Sequence, residues 1–242
     1  MKNEIAFAVW GRFALFTDPI TKIGGEKCSY HVPTYEALRG IASSIYWKPT
    51  FVWKIDKVRV VKPIRTQTKG MKPLNYSRGP KEAPNTLAYY NYLSDVEYHV
   101  LAHFEWNEHA AELECDRNDA KHYEMLQRYL KRGGRRDIFL GTRECQGYVR
   151  PIEWHDEPEG HYSSTEEISF GLMFHSFLYP EESGEEKLFS RFWYPKMRYG
   201  EIDFSVPDVK LLSKFVRPMK PVKFVNKQNY NPKDKDSEVF LS

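Results

Sequence analysis

"DVEYHVLAHFEWN", residues 95–107, sets Val96, Tyr98, Val100, Ala102, Phe104 and Trp106 on alternate positions. A period of two puts those side chains on one face of a strand, packed against a core. Ten residues on, the period changes. "RNDAKHYEMLQRYLKRGG", residues 117–134, places Ala120, Tyr123, Leu126 (with Met125), Tyr129 and Leu130 at helical spacing. Asn118 or Asp119 can cap its start, and Gly133-Gly134 ends it. A strand that runs into an amphipathic helix is half of a repeating unit, and the flanking sequence supplies the other half.

Upstream, "FVWKIDKVRVVKPI" (51–64) is β-branched and alternating, hence a strand, and "HVPTYEALRGIASSIYWKP" (31–49) is a helix. Thr34 caps that helix, Tyr35, Leu38, Ile41 (with Ala42) and Ile45 form its stripe, and Pro49 stops it. "EIAFAVWGRFALF" (4–16) alternates Ile5, Phe7 and Val9 as a first strand. "IFLGTRECQGYVRPIEW" (138–154) returns as a last one. "RTQTKGMKPLNYSRGPKEAPNT" (65–86) has Gly, Pro, Ser and Asn throughout with no apolar period, so it is expected to be a long loop. The order β-α-β-β-α-β predicts an α+β protein whose residues 1–153 form an N-terminal ferredoxin-like, RRM-like domain. Residues 154–242 read as a smaller, mostly antiparallel β domain with a polar tail. The aromatic motifs of an ordinary RRM are not evident in either central strand.

The chain has 242 residues, 41% of them hydrophobic and 15% aromatic, enough to build a core. No apolar run approaches the ~20 residues of a membrane-spanning helix, so no membrane partner is expected. The opening residues read as a strand rather than a signal peptide. Cys28, Cys115 and Cys145 form no CxxC pair, which signals neither a disulfide framework nor a zinc knuckle and fits a reducing cytoplasm. The net charge of +3 conceals a segregation. Lys54, Lys57, Arg59, Lys62, Arg65, Lys69, Lys72, Arg78 and Lys81 face only Asp56 over their stretch, and Arg128 to Arg136 is basic without an acid. Residues 153–186 carry acids and no Lys or Arg. One charge run is what any solvated surface shows. Two basic runs flanking one candidate site favour a polyanion-binding face.

Chemistry-bearing motifs are few. No phosphate-binding loop, GxSxG or HExxH occurs. His99 and His103 share a strand face roughly 13 Å apart, too far for one ion, and no metal site is expected. Lys121-His122 stands out. In the first turn of a helix both side chains can reach over the N-terminus, where the dipole and free N–H groups favour a phosphate. A histidine moves protons near neutral pH, and a lysine steadies charge growing on a phosphorane oxygen. Tyr46, after the first helix, is the candidate partner, since both helices pack on one sheet face.

"KIGGEKCSYHVPTYEALRGIASSIYWKP", "NDAKHYEMLQRYLKRG" and "IFLGTRECQGYV" resemble the Cas-five subunit family of type I-C (Dvulg subtype) CRISPR systems. The resemblance implies an endoribonuclease that needs no metal and no other cofactor. It would cut CRISPR repeat RNA at the base of its stem-loop, then stay on the 5′ handle as a subunit of the type I-C interference complex. It further implies Tyr46, Lys121 and His122 as the catalytic set. His122 would be general acid or base, Tyr46 its counterpart or a hydrogen-bond donor, and Lys121 the electrostatic stabiliser. The nucleophile would be the substrate's own 2′-OH. Arg65, Lys69, Lys72, Arg78 and Lys81 would grip backbone phosphates, Arg135, Arg136 and Arg143 would meet the stem, and Tyr76 would stack on a base. A non-catalytic crRNA-binding scaffold of the same complex and a metabolite-binding regulatory protein are the competing readings.

Overall fold

The computed structural model describes residues 3–18, 26–72, 87–156, 159–205 and 211–224. The first part of the chain runs β1 (Glu4–Ala14), β2 (Lys27–Cys28), α1 (Tyr35–Ile45), β3 (Phe51–Val60), β4 (Thr66–Met71) and β5 (Ala88–Trp106). A 3₁₀ turn (Ala111–Asp116), α2 (Asp119–Lys131), β6 (Ile138–Phe139) and β7 (Gln146–Pro151) follow. Then come β8 (Ile168–Ser169), β9 (Met173–Leu178), α3 (Pro180–Ser183), β10 (Lys187–Trp193), β11 (Lys196–Arg198), β12 (Glu201–Asp203) and β13 (Leu212–Pro218). The protein is mixed α/β and its sheets are mostly antiparallel.

At the centre lie four antiparallel strands in the order β7-β1-β5-β3. Register follows the apolar alternation. Ile5 faces Ala102 and Phe7 faces Val100 across β1 and β5, while Ile55 and Val58 of β3 face the same Ala102 and Val100. Ile55 and Val58 are three apart and would point to opposite faces of a regular strand. A bulge between Ile55 and Lys57 shifts the phase by one residue and returns both to the core face. Thr34 caps α1 by accepting from the Ala37 N–H at 3.1 Å, and Leu38, Ile41, Ala42 and Ile45 go down into the core. α2 buries Met125, Leu126, Tyr129 and Leu130.

Three expectations change. The stretch 65–86 is not wholly loop: Thr66–Met71 forms β4, paired with Ala88–Leu93 at the start of β5. Its residues alternate nothing because Thr66, Gln67 and Thr68 are exposed, so period could not reveal them. The stretch 138–154 holds two short strands rather than one. A turn separates β6 from β7 through Gly141 at φ +95°, where a Cβ would collide with the carbonyl of Leu15. The stripe of α2 keeps Met125, Leu126, Tyr129 and Leu130 but begins elsewhere: Ala120 is exposed and His122 is buried.

The residues beyond 154 are not confined to a sheet of their own. β12 pairs with β3 and carries β11 and β8 outward, extending the central sheet, while β9, β10 and β13 form a separate three-stranded sheet. Arg39 of α1 ties the two parts. Its guanidinium makes bonds of 2.7 and 2.8 Å to Glu182 and another of 2.8 Å to Glu36.

His175 of β9 stacks on Tyr35 of α1, with ring centroids 4.4 Å apart. Burial, then the charges of Arg191 and Arg39, push its pKa down to about 3. The unfolded chain holds this histidine near its ordinary 6.5, so between those values the unfolded state binds the extra proton. Stability therefore falls as pH drops from about 6.5 towards 3, by at most about 1.4 kcal/mol per unit from this group. His175→Phe is expected to flatten that part of the curve. Urea unfolding of both proteins at pH 6 and pH 4 measures it, and equal slopes would refute the assignment.

Candidate active site

Tyr46 is the first residue beyond α1. Its backbone is extended (φ −162°, ψ 132°) while its N–H still donates to the carbonyl of Ala42. The helix end is held from outside: the N–H groups of Arg135 and Arg136 donate to the carbonyls of Ser44 and Ile45. The turn after α2 thus caps α1, satisfying carbonyls that a helix C-terminus leaves open. This brings Tyr46 against α2. Its ring stacks on Tyr129 at 5.7 Å, and its hydroxyl lies 2.8 Å from Nδ1 of His122.

His122 is fully buried. Phe51, Trp106 and Phe104 surround its ring at centroid distances of 5.4, 5.6 and 6.4 Å. Nε2 lies 2.8 Å from the backbone carbonyl of Asp116. A carbonyl can only accept, so Nε2 carries the hydrogen. In the neutral ring Nδ1 is then the acceptor, and the Tyr46 hydroxyl donates to it. The tautomer follows from the partners.

Asp116 closes the cluster from the 3₁₀ turn. One carboxylate oxygen accepts from the Thr50 hydroxyl at 2.7 Å and sits 3.5 Å from Nε2 of His122. The other pairs with the Lys121 ammonium. A buried carboxylate persists only with such partners. Burial, followed by the charge of Asp116 and by Tyr129, raises the Tyr46 pKa above the ordinary phenol value, against an opposing Arg135. At neutral pH Tyr46 is therefore a hydroxyl and a donor.

The structure brings Tyr46, Lys121 and His122 into one cluster, in an arrangement the sequence did not suggest. His122 does not reach over the helix N-terminus, because its side chain enters the core. That terminus is occupied by the Asn118 side chain, which accepts from the Lys121 N–H at 3.0 Å. Lys121 is the half-exposed member and links the buried pair to the surface. Asp116 and Thr50 were missed. The helical phase would have flagged His122, since positions 122, 125, 126 and 129 share a helix face.

The basic candidates do not all gather at this cluster: β4 and its flanks, with Arg65, Lys69 and Lys72, lie beside Ala88–Leu93, at the opposite end of β5 from the Phe104 and Trp106 that line the His122 ring. Arg65, Lys72, Arg136 and Arg143 are exposed, and Arg135 is half-buried. Lys69 lies on β4 with its ammonium 3.2 Å from the centroid of the Phe13 ring and 5.3 Å from that of Tyr92. Tyr76, Arg78 and Lys81 lie outside the described residues. Among the described residues, no three His, Cys, Asp or Glu side chains gather as a metal site, and no helix is long and apolar enough to cross a membrane. His103 bonds Asp56 at 2.8 Å rather than joining His99.

Fold and cluster together define a mixed α/β protein with a phenol, an imidazole and an ammonium gathered around one buried carboxylate. Residues 4–205 match the family described as CRISPR-associated protein (Cas_Cas5), in its Cas5d form, and the chain belongs to that family. A CRISPR pre-crRNA endoribonuclease Cas5d from Mannheimia succiniciproducens is 31% identical over 224 residues, spanning 84% of this chain and 95% of that protein. A protein of the same name from Thermus thermophilus is 29% identical over 190 residues, 74% of this chain and 76% of that one. Two solved structures are similar, each covering 87% of this chain and 96% of its own. One is a CRISPR-associated protein (36% identical, TM-score 0.69), the other a functionally uncharacterized protein from Streptococcus mutans (38%, 0.67).

Proposed function

We propose that this chain is a pre-crRNA endoribonuclease. It cuts CRISPR repeat precursor RNA at the base of the repeat stem-loop and stays on the crRNA 5′ handle as a subunit of the type I-C interference complex. The observation that carries the reading is the Tyr46–His122–Asp116 chain with Lys121 beside it, in a protein whose relatives bear that activity in their names. The ribose 2′-OH attacks the adjacent phosphorus and the bond to the 5′-oxygen breaks, giving a 2′,3′-cyclic phosphate and a 5′-hydroxyl. A Tyr46 phenol with a raised pKa is a poor free base. It can instead take the 2′-OH proton as its own proton passes to Nδ1 of His122, so no phenolate need accumulate. Lys121 steadies the phosphorane oxygens, the leaving 5′-oxygen takes a proton from solvent water, and His122 returns its extra proton through Tyr46 to the hydroxide so formed. The nucleophile comes with the substrate, so the step needs no metal and no other cofactor.

The fold we infer for residues 1–153 is ferredoxin-like, supported by the β-α-β-β-α-β order and the strand order β7-β1-β5-β3. Residues 154–242 form the β-rich remainder, a division of role that the sheet itself crosses through β12. Arg65, Lys69, Lys72, Arg135, Arg136 and Arg143, with Tyr76, Arg78 and Lys81, are the proposed RNA contacts, and the other complex subunits are the proposed protein partners. The compartment we infer is the cytoplasm, supported by the free thiols of Cys28, Cys115 and Cys145.

One observation favours the alternative, a non-catalytic crRNA-binding scaffold: neither His122 nor Tyr46, the group that would meet the 2′-OH, has appreciable exposed surface. Incubation with cognate repeat RNA in EDTA separates the readings. Cleavage at a single site is the expected result. RNA that is bound but intact would establish the scaffold, and RNA that is ignored would defeat both.

A further inference from the structure

We infer that Asp116, at the end of the Ala111–Asp116 turn, is a positioning residue for both active groups: it holds the His122 imidazole through its backbone carbonyl and carboxylate, and holds Lys121 through its carboxylate. The inference rests on the endoribonuclease reading above and deepens it. The geometry is that of a base oriented by a third group. Tyr46 donates to one ring nitrogen of His122, and the other donates 2.8 Å to the Asp116 carbonyl. When His122 accepts a proton through Tyr46 it becomes an imidazolium, and the Asp116 carboxylate, 3.5 Å from Nε2, is the buried negative charge that faces it. The same carboxylate pairs with Lys121, so one side chain sets the ammonium relative to the ring. Thr50 fixes the carboxylate in turn through its hydroxyl at 2.7 Å. His122 and Lys121 are adjacent on a helix and diverge by about 100°. A residue outside the helix that touches both is what makes them one site.

The test is Asp116→Asn, which keeps an acceptor for Thr50 and the backbone carbonyl for His122 while removing the charge. Single-turnover cleavage of cognate repeat RNA is expected to fall by roughly 10–10³-fold. That is less than the ~10⁴ lost where a carboxylate alone fixes the tautomer, since here the carbonyl still does so. The dissociation constant for uncleaved RNA should change less than about threefold, because the acid does not contact RNA in this scheme, and Asp116→Glu should restore part of the rate. A merely structural role would weaken binding and cutting together and show no rescue. Full-rate cleavage by Asp116→Asn, or equal losses in both quantities, would overturn the inference while leaving the enzyme reading intact. A wild-type protein that does not cut would instead overturn the enzyme reading. If the buried amide prevents folding, Thr50→Val decides. It removes one hydrogen bond that orients the carboxylate without discharging it, and an unchanged cleavage rate in that variant would sink the proposal.

Discussion

His122→Ala is expected to slow repeat-RNA cleavage by roughly 10²–10⁴-fold, the usual contribution of one positioned proton-transfer group. RNA binding should hold, because the ring is buried and touches Tyr46, Asp116 and aromatic side chains rather than the surface. That burial complicates the variant. Removing the imidazole leaves a cavity among Phe51, Phe104 and Trp106 and strips the Tyr46 hydroxyl of its acceptor, which costs about 2–5 kcal/mol of stability. A folding loss of that size could mimic a catalytic one. His122→Asn answers it by keeping a polar side chain in the cage while abolishing proton transfer. Thermal unfolding of both variants, set beside single-turnover rates, separates the effects: the Asn protein should be the more stable of the two and no faster. Cleavage at the wild-type rate by a folded His122→Asn protein would remove His122 from the chemistry and leave the basic surface as the functional feature.

The parts of this molecule that were legible in the sequence are those where burial imposes a period. β1, β3 and β5 alternate because one face of each packs on the helices, and α1 shows its cap, stripe and Pro stop because each has a local cause. β4 was invisible for the opposite reason. It lies on an extension of β5 with its polar residues exposed, so no apolar phase marks it. The bulge at Asp56 could be seen only as an odd spacing between Ile55 and Val58. In the site, Tyr46 and the Lys121-His122 pair were recognisable, but the depth of His122 was not. The apolar stripe through Tyr123, Met125, Leu126, Tyr129 and Leu130 faces the core as its spacing indicates, but its first member is His122 rather than the exposed Ala120. Asp116 lay beyond any pattern. It ends a 3₁₀ turn with no helical or strand period, and its partners Thr50, Lys121 and His122 meet it only through the tertiary fold.

The largest effect should come from the substrate rather than the protein. A single deoxyribose immediately upstream of the scissile phosphate should abolish cleavage, because the attacking oxygen would be gone. Binding should survive, since losing one hydroxyl costs at most one hydrogen bond, about 0.5–1.5 kcal/mol net. This is where the arrangement around Tyr46 makes its strongest demand. The phenol has a raised pKa and its proton already points at Nδ1 of His122, so the pair can accept a proton only from a hydroxyl placed against the Tyr46 oxygen. The 2′-OH is that hydroxyl in the intramolecular scheme. A mechanism that activates water would place a different molecule there and would cut the deoxy substrate at the normal position. Gel analysis of repeat RNA carrying the single deoxy substitution, with product ends read as cyclic phosphate or free hydroxyl, distinguishes the two. A deoxy-substituted repeat cut at the usual site would overturn the 2′-OH mechanism even if Tyr46, Lys121 and His122 all proved essential.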